Sequence, residues 1–251
     1  MLRTLDTLLS EKIQDVPYIV YPILPRRGRL VIGASPKSLK SMLAINMAYE
    51  MAEGWDVLGM FKPRGPMTVL VVEQEIGPYG VRERMERIHG NLSGQLAPYN
   101  MYVVSKDLNI RLDTPQGLGI LKGYIAQCKP QVLILDPLRK FHMQEEDKSN
   151  EMVKIFHELD KLEEEFDLST IIVHHNVKRS EWRDPTDPES LRGSGEIFAD
   201  ADSVMMVEKP VKNNDSIVRL HFTLRRAQNP YPIKLRMNEA FCFERLQQTA
   251  Q

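Results

Sequence analysis

Apolar residues fall along this chain in short continuous runs separated by stretches of helical spacing. Leu30-Val31-Ile32, MTVLVVEQE (67–75), MYVVS (101–105), QVLILD (131–136) and STIIVHH (169–175) have strand length and are rich in β-branched residues and leucine. Between them, residues 42–48 read as a helix that Gly54 ends, and VRERMERIHG (81–90) as a charged helix stopped by Gly90. Leu118, Ile120, Leu121 and Ile125 place a helix over 116–128, and Met152, Val153, Phe156, Leu159 and Leu162 another over 150–166. Almost wholly apolar strands alternating with helices predict an α/β fold, a mainly parallel central sheet with helices on both faces. Beyond residue 203 the pattern changes. Residues 203–210, 216–226 and 232–237 alternate like antiparallel strands, with Asn213-Asn214-Asp215 as a hairpin turn, and predict a C-terminal antiparallel extension of one sheet edge.

The expected organisation is a lead-in over 1–28, one domain over 29–245 and a tail over 246–251. The lead-in reads as a short amphipathic helix (Leu2, Leu5, Leu8, Leu9, Ile13), then proline-rich turning backbone, packing on the core or on a neighbour. A net charge of -1 gives no global basic field, so any nucleic-acid contact must be made by local basic loops. Cys128 and Cys242 are too few for a disulfide framework and suit a reducing compartment. No apolar run approaches the roughly 20 residues that span a bilayer, and the N-terminus lacks a signal-peptide core. A soluble cytoplasmic protein is expected.

In an open α/β sheet, ligands gather at the carboxyl ends of the strands. After the first strand comes Gly33-Ala34-Ser35-Pro36-Lys37-Ser38-Leu39-Lys40-Ser41-Met42, a small-residue loop leading through Lys-Ser into a helix. This is the layout of a phosphate-binding loop: backbone N–H groups cradle phosphates, Lys40 reaches the β/γ-phosphates, and Ser41 holds Mg²⁺. The usual glycine before the lysine is here Leu39. Asp136, ending a buried strand, suits the acid that holds Mg²⁺ with Ser41; the alternative is a turn aspartate before Pro137. Glu73 and Glu75 straddle the end of the second strand, and one of them suits the base that orients the attacking water. His174 and His175 point to opposite faces, so only one of them can face the cleft, where it suits a γ-phosphate sensor; the alternatives are a core histidine or half of a metal site. Lys178, Arg179, Arg183 and Arg192 stud a long polar loop (176–194) whose acids nearly cancel them, either a solvated loop or a DNA-facing one. Arg225 and Arg226 suit either an arginine finger or edge-strand surface charge.

The order of these motifs resembles the RecA-like P-loop ATPases of the plasmid and phage hexameric replicative helicase type, relatives of the DnaB ring helicases. VPYIVYPILPRRGRLVIGASPKSLKSMLAINMA, VLVVEQEIGPYGVRERMERI, QVLILDPLRKFH, IIVHHNVK, LRGSGEIFADADSVMMVEK and RLHFTLRRAQNP carry the resemblance, over about Val16 to Asn238. It implies ATP and Mg²⁺ as cofactors, Lys40 and Ser41 as the Walker-A pair, Asp136 as the Walker-B acid and Glu75 as the catalytic glutamate. His175 falls at the sensor position, and Lys178 and Arg192 belong to the DNA-facing loop. It further implies a homo-hexameric ring on single-stranded DNA with replication partners. Two departures stand out. Leu39 replaces the glycine, and Arg226-Ala227-Gln228-Asn229 puts Gln228 at the expected finger and leaves Arg226 to act across the interface. The alternatives are a nucleotide-binding scaffold or loader with weak or no hydrolysis, or a RecA-like recombination ATPase.

Overall fold

The computed structural model describes residues 2–10, 17–92, 99–106, 110–144, 149–175, 186–191, 194–210 and 216–246. Helix α1 (Leu5–Ser10) and a ribbon of β1 (Tyr18–Val20) and β2 (Leu24–Pro25) precede a nine-stranded sheet. The chain continues through β3 (Arg29–Ala34), α2 (Lys40–Glu53), β4 (Val69–Glu73), α3 (Pro78–Leu92), β5 (Met101–Val104) and α4 (Pro115–Cys128). It then runs through β6 (Val132–Asp136), α5 (Ser149–Phe166), β7 (Ser169–His175), α6 (Ser194–Asp200) and β8 (Ser203–Glu208). The antiparallel strands β9 (Ile217–Leu224), β10 (Ile233–Met237) and β11 (Phe243–Arg245) complete it.

The strand order is β11-β10-β9-β8-β3-β7-β6-β4-β5. The six strands from β8 to β5 are parallel, and β9 to β11 extend the β8 edge antiparallel. Every residue of β3, β4 and β6 is buried, as the apolar runs require. Their parity sorts the side chains. Leu30, Ile32, Val69, Val71, Val132, Ile134, Ile171 and Val173 meet α2 and the β1–β2 ribbon on one face. Val31, Leu70, Val72, Leu133, Leu135 and Ile172 meet α4, α5 and α6 on the other. By the same two-residue period, Glu73, Asp136 and His175 share the α2 face, and His174 lies on the opposite one.

Three elements differ from the sequence reading. Helix α3 runs through Gly90 to Leu92, held there by Ile88 in the core and by a 2.9 Å hydrogen bond between the Tyr49 hydroxyl and His89 Nδ1. Helix α6 and strand β11 carry too short a pattern to announce themselves. Helix α2 ends where expected, with Gly54 left-handed at φ 74°. The lead-in divides. Leu5 and Leu9 of α1 are exposed, whereas Ile19, Val20, Ile23 and Leu24 join the core. The turn at 213–215 and Ile13 lie outside the described residues. No helix among the described residues is long and apolar enough to cross a membrane.

Candidate active site

A cleft of about 570 Å³ opens at the carboxyl end of the parallel strands, lined continuously from Pro36 to Met42 and by Glu75, Ile76, Arg84, His175 and Lys209. Its floor is the start of α2. Leu39 sits at the helix's N-cap position at φ 62° and offers no side-chain cap, so the first amides of α2 remain available to an anion. Lys37 is also left-handed, at φ 61°. The loop thus takes the turn that glycine would take, with a leucine in it. Leu39's side chain packs against the core beneath α2 and against the α2–α3 cluster, which offsets the strain of that backbone. From the carboxy-terminal segment, Phe241 accepts a 2.8 Å hydrogen bond from Asn46 Nδ2, which also donates to Met42.

Gly33, Ala34 and Ser35 are not among the cleft-lining residues. Gly33 has a packing reason instead. A Cβ there would sit 2.4 Å from Leu191 Cδ2 and 2.6 Å from Met206 Sδ. Leu191 thereby packs against β3 on the sheet face opposite α2, whereas His175, at the end of β7, lines the cleft.

The acids divide by role. Glu73 is buried and spent locally, accepting 2.9 Å bonds from the backbone N–H of Glu75 and Ile76. Burial pushes its carboxyl up, opposed by those bonds and by Arg84. That turn presents Glu75, which is exposed in the cleft. Asp136 pairs with Glu73 in the β4–β6 register and lies behind the lining, 1% exposed. Burial pushes it up to about 7, with the Ser41 side chain pulling it back. Neither of its oxygens has a well-formed hydrogen-bond partner. Lys40, also buried, is lowered by desolvation and raised by Asp136 and Glu75.

The two orphaned carboxylate oxygens of buried Asp136 sit beside the Ser41 hydroxyl. That donor set fits a Mg²⁺ held by Ser41 and Asp136, completed by water and substrate phosphates. No group of three or more His, Cys, Asp or Glu that could hold a metal by itself occurs among the described residues.

Lys40, Ser41, Glu75 and His175 therefore meet in or at one cleft, with Asp136 behind it. Arg226 does not join them. It follows β9, antiparallel to β8, and approaches Asp202 at 3.5 Å, before β8 begins. The cleft residue Lys209 follows the other end of β8, so a strand of roughly 20 Å separates the two. Arg225 donates to the Ala199 carbonyl at the same far end. Lys178, Arg179, Arg183 and Arg192 lie outside the described residues. Sequence reasoning missed Arg84, Ile76 and Lys209. Arg84 had a signal in its place on the inward stripe of α3; Lys209 had only its position after a buried strand.

A DnaB-like replicative helicase, described with its interactions with primase, superimposes on this fold with a TM-score of 0.66 at 17% identity. The match covers 88% of this chain and 59% of that one, so this chain spans under two thirds of its relative's length. The fold is accordingly the RecA-like one. The model of the AAA domain family matches residues 2–181, taking in the loop at 33–42, Glu75, Asp136 and His175. The chain belongs to the AAA domain family.

Proposed function

We propose that this chain is a Mg²⁺-dependent ATPase acting on DNA, a ring-forming replicative helicase of a mobile element. The observation that carries the reading is the convergence of Lys40, Ser41, Asp136, Glu75 and His175 from four parallel strand ends on one cleft. In this reading Lys40 neutralises the β/γ-phosphates and the uncapped amides of α2 cradle them. Ser41 and Asp136 hold Mg²⁺, which supplies further charge neutralisation when bound. Glu75 orients the attacking water and takes its proton, and His175 donates to the γ-phosphate. Arg226, half exposed, belongs to a surface that a neighbouring copy would turn toward the next site. The loop between His175 and Leu191, with Lys178, Arg179 and Arg183, and Arg192 just after it, would carry the DNA contact. The loop follows directly on His175 in the cleft wall, which gives the nucleotide state a short path to it.

The test is hydrolysis of ATP with and without single-stranded DNA, together with unwinding of a tailed duplex. Turnover stimulated by single-stranded DNA supports the reading. Tight nucleotide binding without turnover favours the second one, a nucleotide-binding scaffold or loader, for which the Asp202-paired Arg226 speaks.

A further inference from the structure

We infer that Arg84 acts on the γ-phosphate from within the same chain that holds the nucleotide. The inference rests on the ATPase reading above and assigns that site its arginine. Arg84 lines the cleft with Lys37 to Met42, Glu75 and His175, yet it comes from α3, outside the loop–strand frame. Its place on that helix is unusual for a charge. Val81 and Ile88 are buried, and 81, 84 and 88 form one helical face. Arg84 therefore occupies the inward stripe.

The neighbouring arginines of α3 are each committed elsewhere. Arg82 pairs with Glu86 at 2.7 Å, and Arg87 pairs with Glu83 at 2.9 Å while its guanidinium lies 4.7 Å from the Phe241 ring centre. Arg84 makes no ion pair or hydrogen bond among the described residues and exerts only a longer-range pull on Glu73. A partly buried guanidinium with no close partner is costly unless an anion completes it. The cleft it borders is built for phosphates.

The geometry gives it a role in the step. Water oxygen bonds to the γ-phosphorus while the bond from that phosphorus to the β–γ bridging oxygen breaks, its electron pair leaving with ADP. The water's proton passes to Glu75. Arg84 donates N–H groups to the γ-phosphoryl oxygens as their charge spreads, forming no covalent bond. An arginine supplied by the same chain is an established alternative to one supplied by a partner; Arg225 and Arg226, at the opposite end of the sheet, do not reach the cleft of their own chain.

The experiment compares the full chain with Arg84→Ala, Arg84→Lys and Arg82→Ala. Steady-state ATP hydrolysis is read alongside calorimetric binding of ADP alone and of ADP with aluminium fluoride, a planar mimic of the transferring group. Arg84→Ala lowers kcat by about a thousandfold and abolishes the affinity gained from aluminium fluoride, while ADP alone binds within about threefold of wild type. Arg84→Lys recovers only part, because an ammonium lacks the forked donor geometry. Arg82→Ala behaves as wild type. Mixing Arg84→Ala with Lys40→Ala subunits restores nothing, because each site lacks its own group. Unchanged turnover in Arg84→Ala overturns the inference, as does activity regained on mixing, which would place Arg84 on a neighbour's nucleotide. A wild-type chain that hydrolyses no ATP brings down the ATPase reading and this inference together; wild-type turnover with an indifferent Arg84→Ala brings down the inference alone.

Discussion

Leu39 shows how a residue can break a motif's letter and keep its geometry. Glycine at this position permits positive φ; leucine adopts φ 62° at a cost of roughly 1–2 kcal/mol. Its partly buried side chain returns a similar amount, on the order of 1 kcal/mol, through packing against the α2 clusters. The two terms nearly cancel, so Leu39→Gly is expected to shift stability by less than about 1 kcal/mol and to leave ATP affinity close to wild type, as thermal denaturation and calorimetry would read. Glu50 makes a pH prediction. It is largely buried beside the turn whose Leu58 amide it accepts at 2.8 Å, and burial pushes its carboxyl from 4.5 to about 7. Between those values the folded chain holds a proton that the unfolded chain has lost, so stability falls as pH rises through that window and levels off above it. Glu50→Gln removes this slope and raises stability at pH 8 by ~1–3 kcal/mol, measurable by urea unfolding at pH 5 and pH 8. Neither the left-handed turn nor the buried glutamate could be read from local pattern, because both depend on what packs above them.

At the scale of elements, the parallel strands were legible because they are buried on both faces and have no room for polar residues until they reach the ligand edge. Glu75, Asp136 and His175 could be placed at that edge for the same reason, and strand parity selects His175 over His174. The ties between elements were not legible. Arg29 opens β3 and is 2% exposed, yet its guanidinium meets Asp160 at 3.0 Å, Glu163 at 2.8 Å and Asp200, joining α5 and α6 beneath the sheet. Phe156 stacks 5.5 Å from it. These partners are more than a hundred residues away in sequence, so no window shows them. Arg29→Ala leaves buried carboxylate behind and is expected to cost about 3–5 kcal/mol, read as a lower urea midpoint. Gly33→Ala is expected to cost about 1–3 kcal/mol by overpacking Leu191 and Met206. Because the returning loop rests there, it should also weaken the response of ATP turnover to single-stranded DNA.

At the scale of the whole molecule, the sheet separates two features: the cleft at the carboxyl ends of the parallel strands, proposed to hold the nucleotide, and Arg225 and Arg226 at the far end of β8, on a surface proposed to meet another copy. A net charge of -1 fits the proposal that any DNA contact is made by one loop rather than by a global basic field. If a ring forms, light scattering should report a multiple of the 28.9 kDa chain, and ATPase rate per chain should fall on dilution below the assembly concentration. The central claim is narrower than the ring, namely that the cleft at the start of α2 turns ATP over. The most direct test is ATP hydrolysis by the wild-type chain and by Lys40→Ala, side by side, with Mg²⁺ and single-stranded DNA. Turnover in the first and its loss by at least about a hundredfold in the second are expected if the cleft hydrolyses ATP. Equal rates in the two would contradict that claim.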